Sequence, residues 1–125
     1  MCDISSIQNQ YNMLQTNDEK DILPFCQNND IGYISYSTLA QGLLSEKVKK
    51  GYKFAKMDIR KFNDLFHDRE IFDRIETLKS PNKLLIESAF EYVLKQESLK
   101  SILVSTTKVK NLEENIRLIK KLSNK

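Results

Sequence analysis

The residues best suited to chemistry in this 125-residue chain lie in one stretch, ISYSTLAQGLLSEK, from Ile34 to Lys47. Its first part is a run of β-forming residues that predicts a buried strand. The strand is followed by hydroxyl-bearing residues, a glycine and a lysine. Backbone amides opened by a glycine, next to hydroxyls and a lysine, suit the binding of a phosphate group. The stretch therefore predicts a phosphate-handling loop.

The remaining candidates for chemistry are isolated. We interpret the single histidine, His67, as a surface residue, and the nearby Asp58 and Asp64 as loop solvation and turn formation. Cys2 and Cys26 have no CxxC or Cys/His metal spacing, so they predict free thiols in a reducing compartment, with Cys26 as a core residue. Because no GxSxG or HExxH motif is present, the sequence predicts neither a catalytic residue nor a metal site.

The composition favours a soluble cytoplasmic domain without nucleic-acid or membrane partners. The net charge of +3 is too mild to argue for nucleic acid, and 40% hydrophobic residues are ordinary for a globular protein. The lysine-rich run from Lys47 to Lys56 is interpreted as a solvated loop rather than a nucleic-acid patch. No apolar run is long enough to span a membrane, and the N-terminus lacks secretory-signal features.

Three short strands are expected to position the loop, within residues 3–14, 31–37 and 101–106. The last, SILVST, is apolar enough to be buried on both faces. Strands that alternate with helices indicate a parallel sheet, in which ligands bind at the carboxyl ends of the strands. Each predicted strand ends in polar residues, so three sets of polar groups should meet at one edge: Gln8 to Gln10, Ser35 to Ser37, and Ser105 to Thr107.

Helices are predicted between and after these strands. The first begins at Asn17 or, because Pro24 interrupts it, near Asp21. The second covers residues 68–79, after a long ordered loop, and the third begins with Ser80 as cap and Pro81 in its first turn. The last has an apolar face at helical spacing, formed by Val109, Leu112, Ile116, Ile119 and Leu122.

Three motifs in this order, SSIQNQYNML, YSTLAQGLLSEK and LVSTTKVKNLEENI, resemble the second half of the aldo-keto reductase superfamily, in the branch related to potassium-channel β subunits. The resemblance covers nearly the whole chain. It implies an α/β fold in which residues 1–125 form part of a (β/α)8 TIM barrel, its last three strands, six to eight, with their helices. It also implies that NADPH, the reduced form of NADP, binds at the carboxyl ends of the strands.

The resemblance assigns a role to each polar position near the strand ends. Gln8 matches the glutamine that hydrogen-bonds the nicotinamide carboxamide, and Tyr36 matches the aromatic residue that stacks on the nicotinamide ring. The positions that match the pyrophosphate loop, with a basic contact from the long loop, are Ser37, Leu39, Gln41, Gly42, Lys47 and Arg60. The positions that match the 2′-phosphate and adenine site are Ser105, Thr106, Thr107, Lys108, Asn111, Glu114 and Asn115. The chain departs from the family pattern at Thr38 and Glu46, where relatives have proline and glycine.

The family's acid–base tetrad of Asp, Tyr, Lys and His falls on its first four strands or their loops. The resemblance therefore implies a fragment that carries the NADPH-binding half of a carbonyl-reducing oxidoreductase, with the catalytic tetrad absent from this chain. A half-barrel leaves open edges and an exposed sheet face, so we expect a complementing N-terminal half-barrel or self-association. A small carbonyl substrate would be reduced only by the complemented form. Two alternatives remain: a non-catalytic pseudoenzyme or interaction module, and a truncated gene product without function.

Overall fold

A computed structural model describes residues 3–123 and places three strands in one sheet together with four α-helices. In chain order these elements are β1 (Ser6–Gln10), α1 (Ile22–Asn28), β2 (Gly32–Tyr36), α2 (Arg69–Leu78), α3 (Leu85–Leu94), β3 (Leu99–Ile102) and α4 (Val109–Ser123). None of these helices is long and apolar enough to cross a membrane. Cys2, one of the two predicted free thiols, lies outside the described residues.

The sheet is parallel throughout, with the strand order β1-β2-β3. Gln10 at the end of β1 is paired with Tyr36 at the end of β2, and Ile102 at the end of β3 is paired with Ser35. The predicted α/β arrangement with a parallel sheet is therefore confirmed. Because all three strands run in one direction, the segments that follow them leave the sheet at the same edge.

The two faces of the sheet differ in burial, because side chains alternate between the faces along a strand. Tyr33 of β2 is fully buried and packs with Cys26 of α1 and Val93 of α3 in one apolar cluster. The prediction of Cys26 as a core residue is confirmed, and burial raises the pKa of its thiol. On the opposite face, Gln8 and Tyr36 are exposed. One face of the sheet thus carries the core, and the other faces solvent.

A second apolar cluster anchors the segment that follows β2. This segment forms a short 3₁₀ stretch, Ala40–Ser45, in which Ala40, Leu43 and Leu44 are fully buried. Their partners are buried side chains of α2 and α3, namely Ile71, Ile75, Leu85 and Ala89. The predicted phosphate-handling loop is therefore held against the helices by its own apolar residues.

The starts of α1 and α3 test two predictions from local sequence signals, of which the first is confirmed and the second is wrong. α1 begins at Ile22, and the Asp21 carboxylate accepts a hydrogen bond from the Ile22 amide at 2.7 Å, as the later of the two predicted starts requires. Pro24 is tolerated because first-turn amides have no partner within the helix. The predicted start of α3 at Ser80 is wrong. Ser80 instead forms a bridged turn with Lys83, and α3 begins at Leu85.

The third strand and the last helix are less buried than their apolar patterns predict. β3 spans Leu99–Ile102 and not residues 101–106, and its middle residues, Lys100 and Ser101, are exposed. The prediction of burial on both faces is wrong because Lys100 and Ser101, which point to opposite faces of the sheet, are both exposed. α4 forms where predicted, but three side chains of its apolar face are 71%, 45% and 44% exposed: Val109, Leu112 and Ile116.

Candidate functional site

Gln8 and Tyr36, the two predicted nicotinamide contacts, lie on the same face of the sheet. Gln8 is paired with Ile34, and Tyr36 stands two residues further along β2, so both side chains project from the solvent-exposed face. The Tyr36 side chain is 40% exposed at the end of its strand. An exposed phenol ring can stack on a planar ligand, and an adjacent amide can both donate and accept hydrogen bonds. The arrangement suits a flat, polar ring at this edge of the sheet.

The loop after β2 has an unusual backbone. Ser37, Gln41 and Gly42 have φ values of 56°, 54° and 103°, in the left-handed region that favours glycine. The Ala40 amide donates to the Ser37 carbonyl oxygen at 2.7 Å, and the Gly42 amide donates to the Leu39 carbonyl oxygen at 2.9 Å. These two amides are therefore used within the loop, and a bound phosphate would rely on other groups here. Leu39 itself is half-buried and packs on the apolar cluster below.

Asn12, which the sequence interpretation missed, ties the loop after β1 to the loop after β2. Its side chain is fully buried and its Nδ2 donates to the Ser37 carbonyl oxygen at 3.0 Å and to Gln15 Oε1 at 2.9 Å. Its Oδ1 accepts from the Leu14 and Gln15 amides at 2.9 Å and 3.1 Å. Asparagine is favoured in turns because its side chain forms hydrogen bonds with the backbone a few residues further along the chain. This preference is the sequence signal from which the role of Asn12 could have been predicted.

Arg60 reaches from the long loop to the loop after β2. Its Nη1 donates to the Gln41 carbonyl oxygen at 3.1 Å, while its Nε and Nη2 bond both oxygens of Asp58, the shortest contact being 2.6 Å. The hydrogen bonds from Arg60 lower the pKa of the Asp58 carboxyl. Asp58 also accepts from the Arg60 amide at 3.0 Å, so the interpretation of Asp58 as a turn former holds, although its ion pair was not foreseen.

Lys47 joins the loop after β2 to the start of α4. Its Nζ donates to Asn111 Oδ1 at 2.8 Å, and Asn111 Nδ2 in turn donates to Thr106 Oγ1 at 3.2 Å. The Thr106 hydroxyl also accepts from the Lys108 amide at 3.2 Å, immediately before the helix. Four predicted phosphate-site residues thus form one connected cluster at a helix N-terminus, where the backbone favours anions.

The other predicted site residues between positions 105 and 115 differ in their burial. Ser105, Thr107 and Glu114 are exposed, whereas Asn115 is buried, with 6% of its surface accessible. Three groups of predicted residues result. They are the pair on the sheet face, the contact between Arg60 and Gln41, and the cluster that contains Lys47 and Asn111.

The described residues offer little acid–base chemistry. Tyr11 donates to Glu19 Oε1 at 2.7 Å and Tyr33 donates to Asp18 Oδ2 at 2.6 Å, and burial raises the pKa of both phenols. His67 is exposed, as predicted, and its Nε2 donates to the Lys61 carbonyl oxygen at 2.6 Å. Within residues 3–123, no group of three potential ligands is placed to hold a metal ion. A general acid needs a pKa near the operating pH, so the two buried tyrosines are poor proton donors.

Comparison with known proteins gives a consistent result. A model of the aldo/keto reductase family matches residues 1–125. The protein named probable aldo-keto reductase 1 from Glycine max is 29% identical over 129 residues, which cover 98% of this chain and 37% of that protein. The chain spans between 30% and 37% of the length of the first curated relatives it matches.

Solved structures with the same fold include an aldo-keto reductase from Bacillus halodurans in its apo form, with a TM-score of 0.71 and 17% identity over 94% of this chain and 38% of that chain. An aldo/keto reductase from Klebsiella pneumoniae, solved in complex with NADP and acetate, has a TM-score of 0.57 and 16% identity over 92% of this chain and 34% of that chain. At these identities the likeness concerns the fold alone.

Proposed function

The chain belongs to the aldo/keto reductase family, and from this we propose that it carries the NADPH-binding half of a carbonyl-reducing oxidoreductase. In this proposal, residues 1–125 are the C-terminal half of the reductase domain, and β1, β2 and β3 are the last three strands of a (β/α)8 barrel. The parallel order of the three strands supports this placement. The NADP complex of the Klebsiella pneumoniae relative supports the choice of cofactor.

The observation that carries the proposal is the cluster in which Lys47 bonds Asn111 and Asn111 bonds Thr106. It brings the loop after β2 next to the start of α4, so one extended dinucleotide can contact both segments. We assign the 2′-phosphate to residues 105–108, where hydroxyls, lysine and a helix N-terminus are combined. The pyrophosphate follows residues 37–47, and the nicotinamide ring lies against Tyr36 with the Gln8 amide at its carboxamide.

We further propose that this chain does not reduce a carbonyl by itself, because hydride transfer to a carbonyl needs a proton donor. The exposed His67 is occupied by a backbone carbonyl, and the pKa values of Tyr11 and Tyr33 are raised by burial. A small carbonyl substrate would be reduced only when acid–base residues are supplied from outside residues 1–125. The chain's own residues would then bind and orient NADPH, which supplies the hydride.

The exposed surfaces favour a protein partner, either a complementing N-terminal half-barrel or a second copy. Val109, Leu112 and Ile116 of α4 are between 44% and 71% exposed, and Leu103 after β3 is 45% exposed. Apolar surface of this kind is stabilised when a partner covers it. The same observation favours the second candidate function, a non-catalytic pseudoenzyme that binds a partner without chemistry.

Cofactor binding is tested by titrating the chain with NADPH and following its fluorescence. We expect saturable binding that weakens about fivefold in Tyr36→Leu, since loss of a stacked ring costs roughly 0.5–1.5 kcal/mol. Phe25→Leu is the matched control, because Phe25 is 51% exposed on α1 and lies in none of the proposed contacts. Absence of saturable binding at millimolar NADPH would refute the cofactor role of this chain.

The partner proposal is tested by light scattering after size-exclusion chromatography over a range of concentrations. A mass that rises with concentration supports self-association, whereas a sharp monomer at every concentration contradicts it. For complementation, the chain is mixed with the N-terminal half of a related reductase and a small aldehyde. NADPH oxidation by the mixture and by neither half alone supports the reductase role. Binding between the halves without NADPH oxidation supports the pseudoenzyme instead.

A further inference from the structure

A cavity of about 290 Å³ lies between the long loop and the start of α2, and its lining includes none of the residues assigned to the cofactor. The loop contributes residues 48–52 and Phe54, which belong to the lysine-rich run of the sequence and its neighbours, and α2 contributes Arg69 and Phe72. Gly51 lines the cavity with a φ of 79°, and no atom lies within 4 Å of the position that a Cβ would take, so the space beside it is open.

Three aromatic rings form one wall of this cavity. Tyr52 and Phe54 are in edge contact with ring centroids 5.0 Å apart, and Phe54 and Phe66 are in edge contact at 5.1 Å. Phe66 is 7% exposed and anchored in the apolar cluster, whereas Tyr52 is 45% exposed. The wall is thus buried at one end and exposed at the other, which suits stacking or edge contact with a planar ligand.

Apart from Val48 and Phe72, which are apolar, the other lining side chains are basic. Lys49, Lys50 and Arg69 line the cavity together with His67, and no aspartate or glutamate does. Asp68 and Glu70 flank Arg69 in sequence, but Asp68 is engaged as the cap of α2, accepting from the Glu70 amide at 2.8 Å. Among residues 3–123, the ion pairs of the structure include none of the three lining cations. An anion at this position would therefore meet cations that form no ion pair within residues 3–123.

We propose that this cavity is a second binding site, for a small aromatic anion that consists of a single ring with a phosphate or carboxylate group. The ring packs on the aromatic wall, and the anionic group faces the lysines and Arg69. One ring is the right size because the volume of about 290 Å³ lies just below the usual range of roughly 300–1,000 Å³ for small-molecule pockets. The lining includes none of the residues assigned to the cofactor, although Arg60, one of those residues, lies over the Phe54 ring at 5.4 Å.

The ligand class is tested by calorimetric titration of the full chain with phenyl phosphate and with benzoate. Inorganic phosphate and phenol serve as the matched partial ligands, one without the ring and one without the charge. We expect saturable binding of one or both aromatic anions, and binding of each partial ligand at least ~5-fold weaker. Equal affinity for phenol would overturn the electrostatic half of the proposal, and no saturable binding of either aromatic anion would overturn all of it.

The position of the site is tested by substitution. Lys49→Gln combined with Lys50→Gln should lower the affinity for the aromatic anion about fivefold, and Tyr52→Leu should lower it about threefold. Lys20→Gln and Phe25→Leu are the matched controls, because both residues are exposed and distant in sequence from the cavity. Affinity that is unchanged in the double lysine variant, or lowered equally in Lys20→Gln, would place the anion elsewhere. NADPH affinity should be unchanged in the double lysine variant, which separates this site from the cofactor site.

Discussion

Replacing Asn12 with alanine is expected to destabilise the chain by about 2 kcal/mol, because the buried Leu14 amide loses its side-chain partner. The Leu14 amide donates to Asn12 Oδ1 at 2.9 Å. The Ser37 carbonyl oxygen, which accepts from Asn12 Nδ2 at 3.0 Å, still accepts from the Ala40 amide at 2.7 Å. A buried group without a partner costs roughly 1–3 kcal/mol. Loss of the contacts between Asn12 and Gln15 adds less to the cost. The Gln15 amide still donates to the Asn12 backbone carbonyl oxygen at 3.0 Å, and Gln15 Oε1 still accepts from Gln10 Nε2 at 2.8 Å.

The assay is urea unfolding followed by far-ultraviolet circular dichroism, with hydrogen exchange as a second readout. Asn63→Ala is the matched control, since Asn63 is half-buried and accepts one bond, from the Leu65 amide at 3.0 Å; loss of this cap should cost about 1 kcal/mol. Asn12→Ala should also expose the amides of residues 37–44 to faster exchange. If Asn12→Ala lost no more stability than Asn63→Ala, the assignment of Asn12 as the anchor of this loop would be refuted.

Two further predictions concern the loop and its contact with Arg60. Gly42→Ala and Gly51→Ala, at φ values of 103° and 79°, should each lose about 1 kcal/mol in urea unfolding. Only Gly42→Ala should lower the affinity for NADPH in the fluorescence titration. Equal NADPH affinities of the two variants would contradict the proposed role of residues 37–47 in binding the cofactor. For Asp58, the lowered pKa means that its contribution to stability is present above the unfolded value near ~4 and is lost as pH falls through the folded value. The stability difference between wild type and Asp58→Asn should therefore shrink between about pH 5 and pH 2, and a constant difference would speak against it.

Local sequence signals predicted the elements well where neighbouring residues alone decide them. α1 starts after Asp21 because a capping carboxylate acts on the adjacent amide, and α4 follows from its helical periodicity. The start of α3 failed because Ser80 and Pro81 suit a turn as well as a helix cap, and here the turn to Lys83 was formed. A signal shared by two local structures does not choose between them.

The candidate site was predicted as a set of positions, but the contacts between its members were not. The resemblance to the family named Lys47, Thr106 and Asn111, which are 64 residues apart at their extremes, and the fold brings them into one hydrogen-bonded cluster. The resemblance gave no indication of Asn12 or of the ion pair of Asp58, because both act on the loop through the backbone.

The sequence by itself determined the alternation of strands and helices, the parallel sheet and the membership of the family, since these depend on local patterns and on ordered motifs. Only the tertiary structure decided which apolar faces are buried. Burial is a relation between elements, so the periodic face of α4 and the apolar residues near β3 remain exposed wherever the described chain provides no partner. The same dependence on neighbours brings lysines and aromatic rings together around the cavity beside α2, although the lysine run alone indicated a solvated loop.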